Sequence, residues 1–369
     1  MRSMAVERNT RAPVLDLSRP AGVQVELEVS EAAEVLMSIC AVGDVSDHDT
    51  FDLGADWLQA RLDAVPDDLR EEVLGMRLGD MKVAAHLLGI VYETPAPRTF
   101  AAFMERLEAI DPVELKLHLF GNYDTTSNHI PHAIVERAAA GEAEAIEQVL
   151  QELAEWSDKH ELYRAILELD GDELKARLVS VLPRWYEHVF QPYEAEWREA
   201  AERDAEAKRA LFTSHTPEQL VELATRGYQY SPPAAIRTIA FFPSWFMRPW
   251  VILWEHKSTK IFCYPIAPRP EEGTSPAEVA RIYKALGDEG RLKLLRRLSD
   301  GPMKLSEAAT ELGVAKSTAH HHLAILRQAG FVTIRDEDEN VYSLRIDLPQ
   351  TGDLLTAYLG ASRSSATSP

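Results

Sequence analysis

Two short stretches with helical apolar spacing, joined through a single glycine, constrain the fold of this chain more than any other feature. In LSEAATEL (305–312) and KSTAHHHLAILRQ (316–328), apolar residues recur at intervals of three and four. Gly313 lies between the two stretches and permits a tight turn. The pattern predicts two short helices that pack through their apolar stripes and leave the polar face of the second helix outward. The stripe residues are Leu305, Ala308, Ala309, Leu312, Ala319, Leu323 and Leu326.

The residues on either side of these two helical stretches predict the remaining elements of one module. Two further helical stretches, EVARIYKAL and DEGRLKLLRRLSDGP, come before them, and the β-prone runs FVTIR and VYSLRI, joined by a polar turn, come after them. This order of helices, tight turn, helix and two-stranded wing is the plan of a winged helix-turn-helix. In such modules the second helix of the turn reads base edges in the major groove of DNA, and cations hold the phosphates. The predicted DNA contacts are Lys316, Ser317, Thr318, His320, His321, Arg327, Arg335 and Arg345.

The stretches KALGDEGRLKLLRRL and LSEAATELGVAKSTAHHHLAILRQAGFV, with the wing ending in VYSL, make residues 276–348 similar to the ArsR family of bacterial repressors. This resemblance implies a homodimer in which the first helix and a short last helix, TGDLLTAYLG, form the contact. It also implies a small-molecule effector that changes the affinity for DNA. The stretch IRTIAFFPSWFMRPWVILWEHKSTKIFCYPI resembles an uncharacterised N-terminal domain of longer family members.

Two features of this segment depart from the family pattern. Many members sense thiophilic metals through Cys-x-Cys on the helix that corresponds to LSEAATEL, and others use His and carboxylate pairs on the last helix. This chain has no cysteine in LSEAATEL and no histidine in DLLTAYLG. Consecutive residues such as His320, His321 and His322 point about 100° apart on a helix, so they do not face one ion. We therefore expect no metal and no cofactor. The four acids from Asp336 to Glu339 at the wing tip would repel phosphates.

Charge is distributed unevenly along the chain. The whole sequence carries a net charge of −20, whereas residues 276–349 contain 11 basic and 11 acidic residues. An acidic bulk disfavours nonspecific contact with nucleic acid, so DNA binding must come from a local surface. The chain has no apolar run of 18 residues, no signal-peptide core in its first twenty residues, and only two cysteines, Cys40 and Cys263. These features disfavour a membrane span and a disulfide scaffold and favour a cytoplasmic protein.

The first two thirds of the chain are predicted to be mainly helical. Residues 23–29 alternate between apolar and polar side chains, which predicts a strand, and Ser30 is a candidate cap for the helix that follows. Residues 51–225 have the spacing of helices 10–20 residues long. We expect Pro183 and Pro192 to break one long helical stretch, because proline lacks the N–H that a helix interior requires.

Beyond residue 235 the sequence changes to β-prone runs. IRTIAFFPS, WVILWEHK and TKIFCYPI are rich in β-branched and aromatic residues, and the last two predict a hairpin that turns near Lys257–Thr259. The predicted fold class is α+β, with a mostly helical N-terminal domain, a small antiparallel sheet and a C-terminal winged helix-turn-helix. The expected divisions are a disordered leader (1–20), a sensor or assembly domain (21–266), a linker (267–277), the winged helix-turn-helix (278–360) and a disordered tail (361–369).

A dense set of aromatic residues accompanies these β-prone runs. It has two interpretations, namely the lining of a ligand pocket or a structural core where the hairpin meets the helices. Period-two alternation turns about half of such residues toward the helices in either case. Cys263 lies in an apolar run and is predicted to be buried and inert. The candidate pocket residues are Trp245, Phe246, Trp250, Trp254, Phe262 and Tyr264.

These observations predict a ligand-responsive DNA-binding regulator, a repressor that acts as a homodimer on a pseudo-palindromic operator. Two alternatives remain open. One is an enzyme whose large domain acts on a small molecule and whose winged helix only localises it; the other is an adaptor that uses the winged helix for protein contacts. The chain contains no Walker loop, GxGxxG, HExxH or nucleophile elbow, so the sequence offers no support for an enzyme.

Overall fold

The computed structural model describes residues 22–43, 45–76, 81–121, 130–154, 160–267, 276–335, 340–345, 355–356 and 358–359. The predicted leader and tail, the wing tip, and most of the linker and of the last helix lie outside these residues. No helix in this described part is long and apolar enough to cross a membrane.

In the described residues, thirteen α-helices form a body that occupies the first two thirds of the chain. A 3-10 turn, Val45–Thr50, follows the first helix. The helices are α1 (Glu31–Gly43), α2 (Ala55–Ala64), α3 (Asp67–Gly75), α4 (Met81–His86), α5 (Leu88–Glu93), α6 (Phe100–Ala109), α7 (Pro112–Phe120), α8 (His132–Ala139), α9 (Ala143–Ala154), α10 (His160–Glu168), α11 (Gly171–Trp185), α12 (Glu194–Arg209) and α13 (Pro217–Ala224).

Helix α1 is the centre of this body. Every residue from Ala32 to Gly43 is buried, which is the pattern of a helix surrounded by others on all sides. Ser30 caps the helix as predicted, because its hydroxyl accepts a hydrogen bond from the Ala33 backbone N–H at 3.2 Å. The same hydroxyl donates to the Arg98 carbonyl at 2.8 Å and so ties the start of α1 to the segment before α6.

The expected break at Pro183 is wrong. Helix α11 continues through Pro183 to Trp185 and passes into a π-helical turn, Tyr186–Phe190, and a 3-10 turn that contains Pro192. Leu182 and Trp185 are fully buried, so core packing outweighs the hydrogen bond that Pro183 cannot make. The helix departs from α-helical geometry only after Leu182 and Trp185.

A four-stranded sheet lies beside the helices. Its strands are β1 (Gln24–Leu27), β3 (Thr238–Ser244), β4 (Ile252–His256) and β5 (Thr259–Pro265), in the order β1-β3-β5-β4. The predicted hairpin between β4 and β5 is confirmed, and Lys257 at its turn has a positive φ of 51°. The expectation of an antiparallel sheet is wrong, because β1 pairs with β3 and β3 with β5 in parallel. The long helical insertion between β1 and β3 supplies the crossover that a parallel pair requires.

The two faces of this sheet belong to two different cores. Phe242 and Cys263 point into the cluster formed by α1 and its neighbours. Phe241 and Phe262 point the other way, into a cluster that includes the C-terminal helices. This is the period-two alternation of a strand. The sheet is therefore the layer through which the helical body contacts the C-terminal module.

The C-terminal module has the predicted order of elements. Its helices are α14 (Pro276–Leu286), α15 (Glu289–Leu298), α16 (Leu305–Leu312) and α17 (Lys316–Gln328), and its strands are β6 (Met303–Lys304), β7 (Val332–Arg335) and β8 (Val341–Leu344). The short strand β2 (Tyr228–Gln229) precedes β3 in the chain and pairs in parallel with β7. The second sheet therefore has the order β2-β7-β8-β6, so β2 covers the edge of β7 that would otherwise be exposed.

Candidate nucleic-acid interface

The turn between α16 and α17 has the predicted geometry. Gly313 adopts the left-handed conformation, with φ 66° and ψ 34°, and ends α16. The apolar stripes face each other, with Ala308 on α16 and Ala319, Leu323 and Leu326 on α17 all buried. This packing fixes which face of α17 is turned away from the module.

The N-terminal half of α17 presents a row of polar side chains. Lys316, Ser317, Thr318, His320 and His321 are all exposed, as the sequence predicted. The residue before the helix, alanine, supplies no side-chain cap, so the first backbone N–H groups of α17 have no side-chain acceptor from it. Polar side chains beside an uncapped helix N-terminus suit phosphates and base edges.

Arg327 does not share this exposed position, and the expectation that it points outward is wrong. It lies seven residues after His320 and therefore on the same face, about 10 Å further along the helix. There the face is covered by the β4–β5 hairpin and the end of α13. Its guanidinium donates to the Thr225 carbonyl at 3.3 Å, and burial lowers its pKa.

The two arginines of the wing differ in solvent exposure. Arg335 is exposed at the end of β7, opposite Val341, whereas Arg345 is half-buried after β8. The backbone N–H of Arg345 donates to the Phe331 carbonyl at 3.0 Å and closes the wing at its base. The covering strand β2 runs beside β7, with Gln229 level with Arg335.

Two cavities flank the C-terminal half of α17. The hairpin cavity, of about 380 Å³, lies between β4 and α17. The second, of about 310 Å³, lies on the other side of the helix and is lined by His321, Gln328 and residues of α14 and α15. Arg281 on α14 binds both carboxylate oxygens of Asp52 beside it, at 2.9 and 2.8 Å. The hairpin cavity is lined by Trp250, Trp254, His320, Ala324, Arg327 and Tyr342, among others.

The predicted aromatic cluster divides between the two interpretations. Trp250 and Trp254 line the hairpin cavity. Phe246, Phe262 and Tyr264 are fully buried and belong to the core. The sixth member, a half-buried tryptophan at position 245, packs edge-on against Trp57 on α2 with ring centroids 5.9 Å apart. Cys263 is buried as predicted, and burial raises its thiol pKa.

The ionisable groups at the hairpin cavity are perturbed by their surroundings. Partial desolvation lowers the pKa of His320, which favours the neutral ring. Burial raises the pKa of Tyr342 to about 12, with the Arg327 charge acting in the opposite direction. At neutral pH the described lining of the cavity therefore includes the Arg327 guanidinium cation and the protonated Tyr342 phenol.

A second polar cluster, formed by residues distant in sequence, contacts the β4–β5 hairpin at His256 and Lys257. Glu93, at the end of α5, lies 3.0 Å from Nε2 of His256, 2.6 Å from Nζ of Lys257 and 3.0 Å from Arg106. His118 is 3.7 Å away. These residues are far apart in sequence and share no local pattern, so no sequence signal identifies them.

This cluster contains donor atoms for a metal ion but also cations that compete for them. Ligand atoms of Glu93, Glu114 and His118 lie within 4.8 Å of one another. Arg106 contacts both carboxylates, at 3.0 and 2.8 Å, and Lys257 contacts the first. The carboxylates are thus already neutralised by side chains, which makes the cluster an ion-pair network.

Comparisons with known proteins concern the C-terminal module. Residues 288–333 match the family model described as bacterial regulatory protein, arsR family. The uncharacterized HTH-type transcriptional regulator YceK of Bacillus subtilis (strain 168) is 40% identical over 75 residues, which are 20% of this chain and 75% of that relative. The cadmium resistance transcriptional regulatory protein CadC homolog of Staphylococcus aureus is 35% identical over 69 residues, 18% of this chain and 57% of the relative.

A third relative, the transcriptional repressor SdpR of Bacillus subtilis (strain 168), is 31% identical over 61 residues, 16% of this chain and 68% of its own length. The family model covers α15, α16, α17 and the start of the wing, the elements that display the exposed polar row. The chain therefore belongs to the arsR family of bacterial regulatory proteins.

Proposed function

We propose that this protein is a cytoplasmic transcriptional repressor that binds a pseudo-palindromic DNA operator as a homodimer and responds to a small-molecule effector. The observation that carries the proposal is the exposed polar row on α17, held over an apolar back by the turn at Gly313. A helix presented in this way suits the major groove. The repressor assignment draws support from the relative that is named a transcriptional repressor.

Dimerisation is supported by exposed apolar side chains where the family resemblance implies the contact. Tyr283 on α14 is 38% exposed, and Leu359 in the last helical segment is 57% exposed. Covering such groups with a second copy would remove apolar surface from water. A symmetric dimer would present two copies of α17 to a DNA site with matching two-fold symmetry.

The first prediction tests DNA reading by α17. We expect Ser317→Ala to cost about 1–3 kcal/mol in specific binding and to relax base preference at one position of each half-site. Lys316→Ala should weaken binding to all sequences and flatten its salt dependence, because a phosphate contact is lost. The measurement is fluorescence anisotropy at several salt concentrations, on fragments recovered by genome-wide mapping of the protein.

Ser214→Ala is the matched control, because Ser214 is also an exposed serine and lies outside the winged helix. It should bind DNA as the unaltered protein does. Equal affinities for the Ser317 and Ser214 variants would show that α17 does not read bases in this protein.

The second prediction concerns the acidic wing tip and rests on the sequence alone. Replacing Asp336, Glu337, Asp338 and Glu339 by their amides should raise DNA affinity while leaving sequence preference unchanged. The gain should be largest at low salt, since repulsion between carboxylates and phosphates is then least screened. Binding measured at two salt concentrations tests this, and a weaker complex at low salt with an intact fold would refute it.

A further inference from the structure

The hairpin cavity has an apolar wall that is already held in place. Trp254 stacks on His86 with ring centroids 4.3 Å apart, and Trp250 donates through Nε1 to the Thr50 hydroxyl at 2.9 Å. Both tryptophans are therefore anchored before any ligand arrives. A volume of about 380 Å³ falls in the range of small-molecule sites. Such a slot suits a flat apolar body.

Across from this wall lies Arg327, for which the described part of the chain supplies no counter-ion. The Arg327 guanidinium donates to the Thr225 carbonyl at 3.3 Å, and no carboxylate of the described residues forms an ion pair with it. A guanidinium withdrawn from water without an anion is destabilising, and its planar fork of N–H groups fits a carboxylate.

A second polar group beside Arg327 is also incompletely bonded. Tyr342 is 1% exposed, and its hydroxyl has no hydrogen-bond partner among the described residues. Both residues line the same cavity, and the Arg327 charge acts on the Tyr342 phenol. An anion placed between them would accept hydrogen bonds from both groups.

We propose that the hairpin cavity binds a small organic carboxylate with a flat, apolar body. Its carboxylate is held by Arg327 and Tyr342, and its body lies against Trp250 and Trp254. His320 and Ala324 of α17 line the same cavity, so a ligand there contacts both the hairpin and the DNA-reading helix.

Binding is expected to lower DNA affinity, and this part of the inference rests on the proposed function. A ligand that contacts both β4 and α17 favours the arrangement in which these two elements are packed together. It also occupies space beside His320, one of the predicted DNA contacts. By linkage, DNA must weaken ligand binding by the same factor.

The test is isothermal titration calorimetry of the full chain with 1-naphthoate, and with neutral 1-naphthamide as the matched control ligand. Naphthoate should bind and the amide should not. Arg327→Met should lower naphthoate affinity at least about twentyfold, and Tyr342→Phe about fivefold, as expected for one charged and one neutral hydrogen bond. Without ligand, Arg327→Met should melt at a higher temperature than the unaltered protein, because it removes a charge that no described carboxylate pairs with.

Equal affinity for naphthoate and naphthamide would overturn the proposal, as would full affinity in the Arg327→Met variant. It also fails if none of 1-naphthoate, benzoate and octanoate binds at millimolar concentration. DNA binding is measured separately; naphthoate should lower DNA affinity about fivefold in the unaltered protein and should not lower it in Arg327→Met. Naphthoate binding without DNA binding would refute the proposed function alone, and DNA binding without carboxylate binding would refute this inference alone.

Discussion

Glu93→Gln is expected to lower the free energy of unfolding by about 3 kcal/mol, because it removes the anion from a largely buried ion-pair network. The carboxylate lies between Arg106, Lys257 and the buried rings of His118 and His256. Lys257 and His256 belong to the β4–β5 hairpin, whereas Glu93 ends α5. The loss should therefore also loosen the hairpin that forms one wall of the cavity.

This destabilisation should depend on pH in a defined direction. The neighbouring donors of His118 and His256, followed by those of Lys257 and Arg106, hold the Glu93 pKa far below its ordinary value of 4.5. A carboxyl with a depressed pKa contributes stability that is fully present above its unfolded pKa and is lost as the pH falls below it. The difference between the unaltered protein and Glu93→Gln should thus be constant near neutral pH and shrink below about pH 4.5.

Urea unfolding across this pH range measures the effect, with Glu108→Gln as the control. Glu108 is exposed on the same helix as Arg106 and should change stability by less than about 0.5 kcal/mol. Equal unfolding curves for the two variants would mean that the network around Glu93 contributes nothing.

Glu34→Gln is expected to do the opposite and stabilise the protein at pH 8, by up to about 3 kcal/mol. Glu34 on α1 is 1% exposed, and one of its oxygens accepts the backbone N–H groups of Trp245 and Phe246 at 2.7 and 2.9 Å. Its other oxygen has no partner in the described part of the chain. Burial raises the pKa of this carboxyl from 4.5 to about 7, so ionisation opposes folding.

The sign of the pH dependence follows from that shift. Between pH 4.5 and pH 7 the folded chain holds the proton and the unfolded chain does not, so stability falls as the pH rises through this window. Glutamine keeps the accepting oxygen and never ionises. The unaltered protein should therefore lose stability across the window relative to Glu34→Gln, and the two should be closest at pH 4.5.

Glu34→Ala separates the charge from the hydrogen bonds. It leaves the Trp245 and Phe246 N–H groups without an acceptor, and it should destabilise the protein by about 1–3 kcal/mol. A gap between the unaltered protein and Glu34→Gln that stays constant from pH 5 to pH 8 would contradict the assignment of a titrating carboxyl.

The sequence by itself determined those features whose signals lie within a few residues of one another. The stripes of α16 and α17 and the exposed row beginning at Lys316 follow from spacings of three and four, and the tight turn follows from the glycine at position 313. The Ser30 cap and the hairpin turn at Lys257 are equally local. These signals are strong because backbone geometry alone converts them into structure.

Only the tertiary structure decided which distant segment covers each face of a helix or each edge of a strand. Lys316 and Arg327 lie close to the same face of α17, yet the first is exposed and the second is covered by the hairpin. The pairing of β2 with β7 and the meeting of Glu93 with His256 join residues more than 100 positions apart. Helical and strand periodicity specifies which residues share a face but not which distant segment packs on it, because that choice depends on the summed packing of the whole chain.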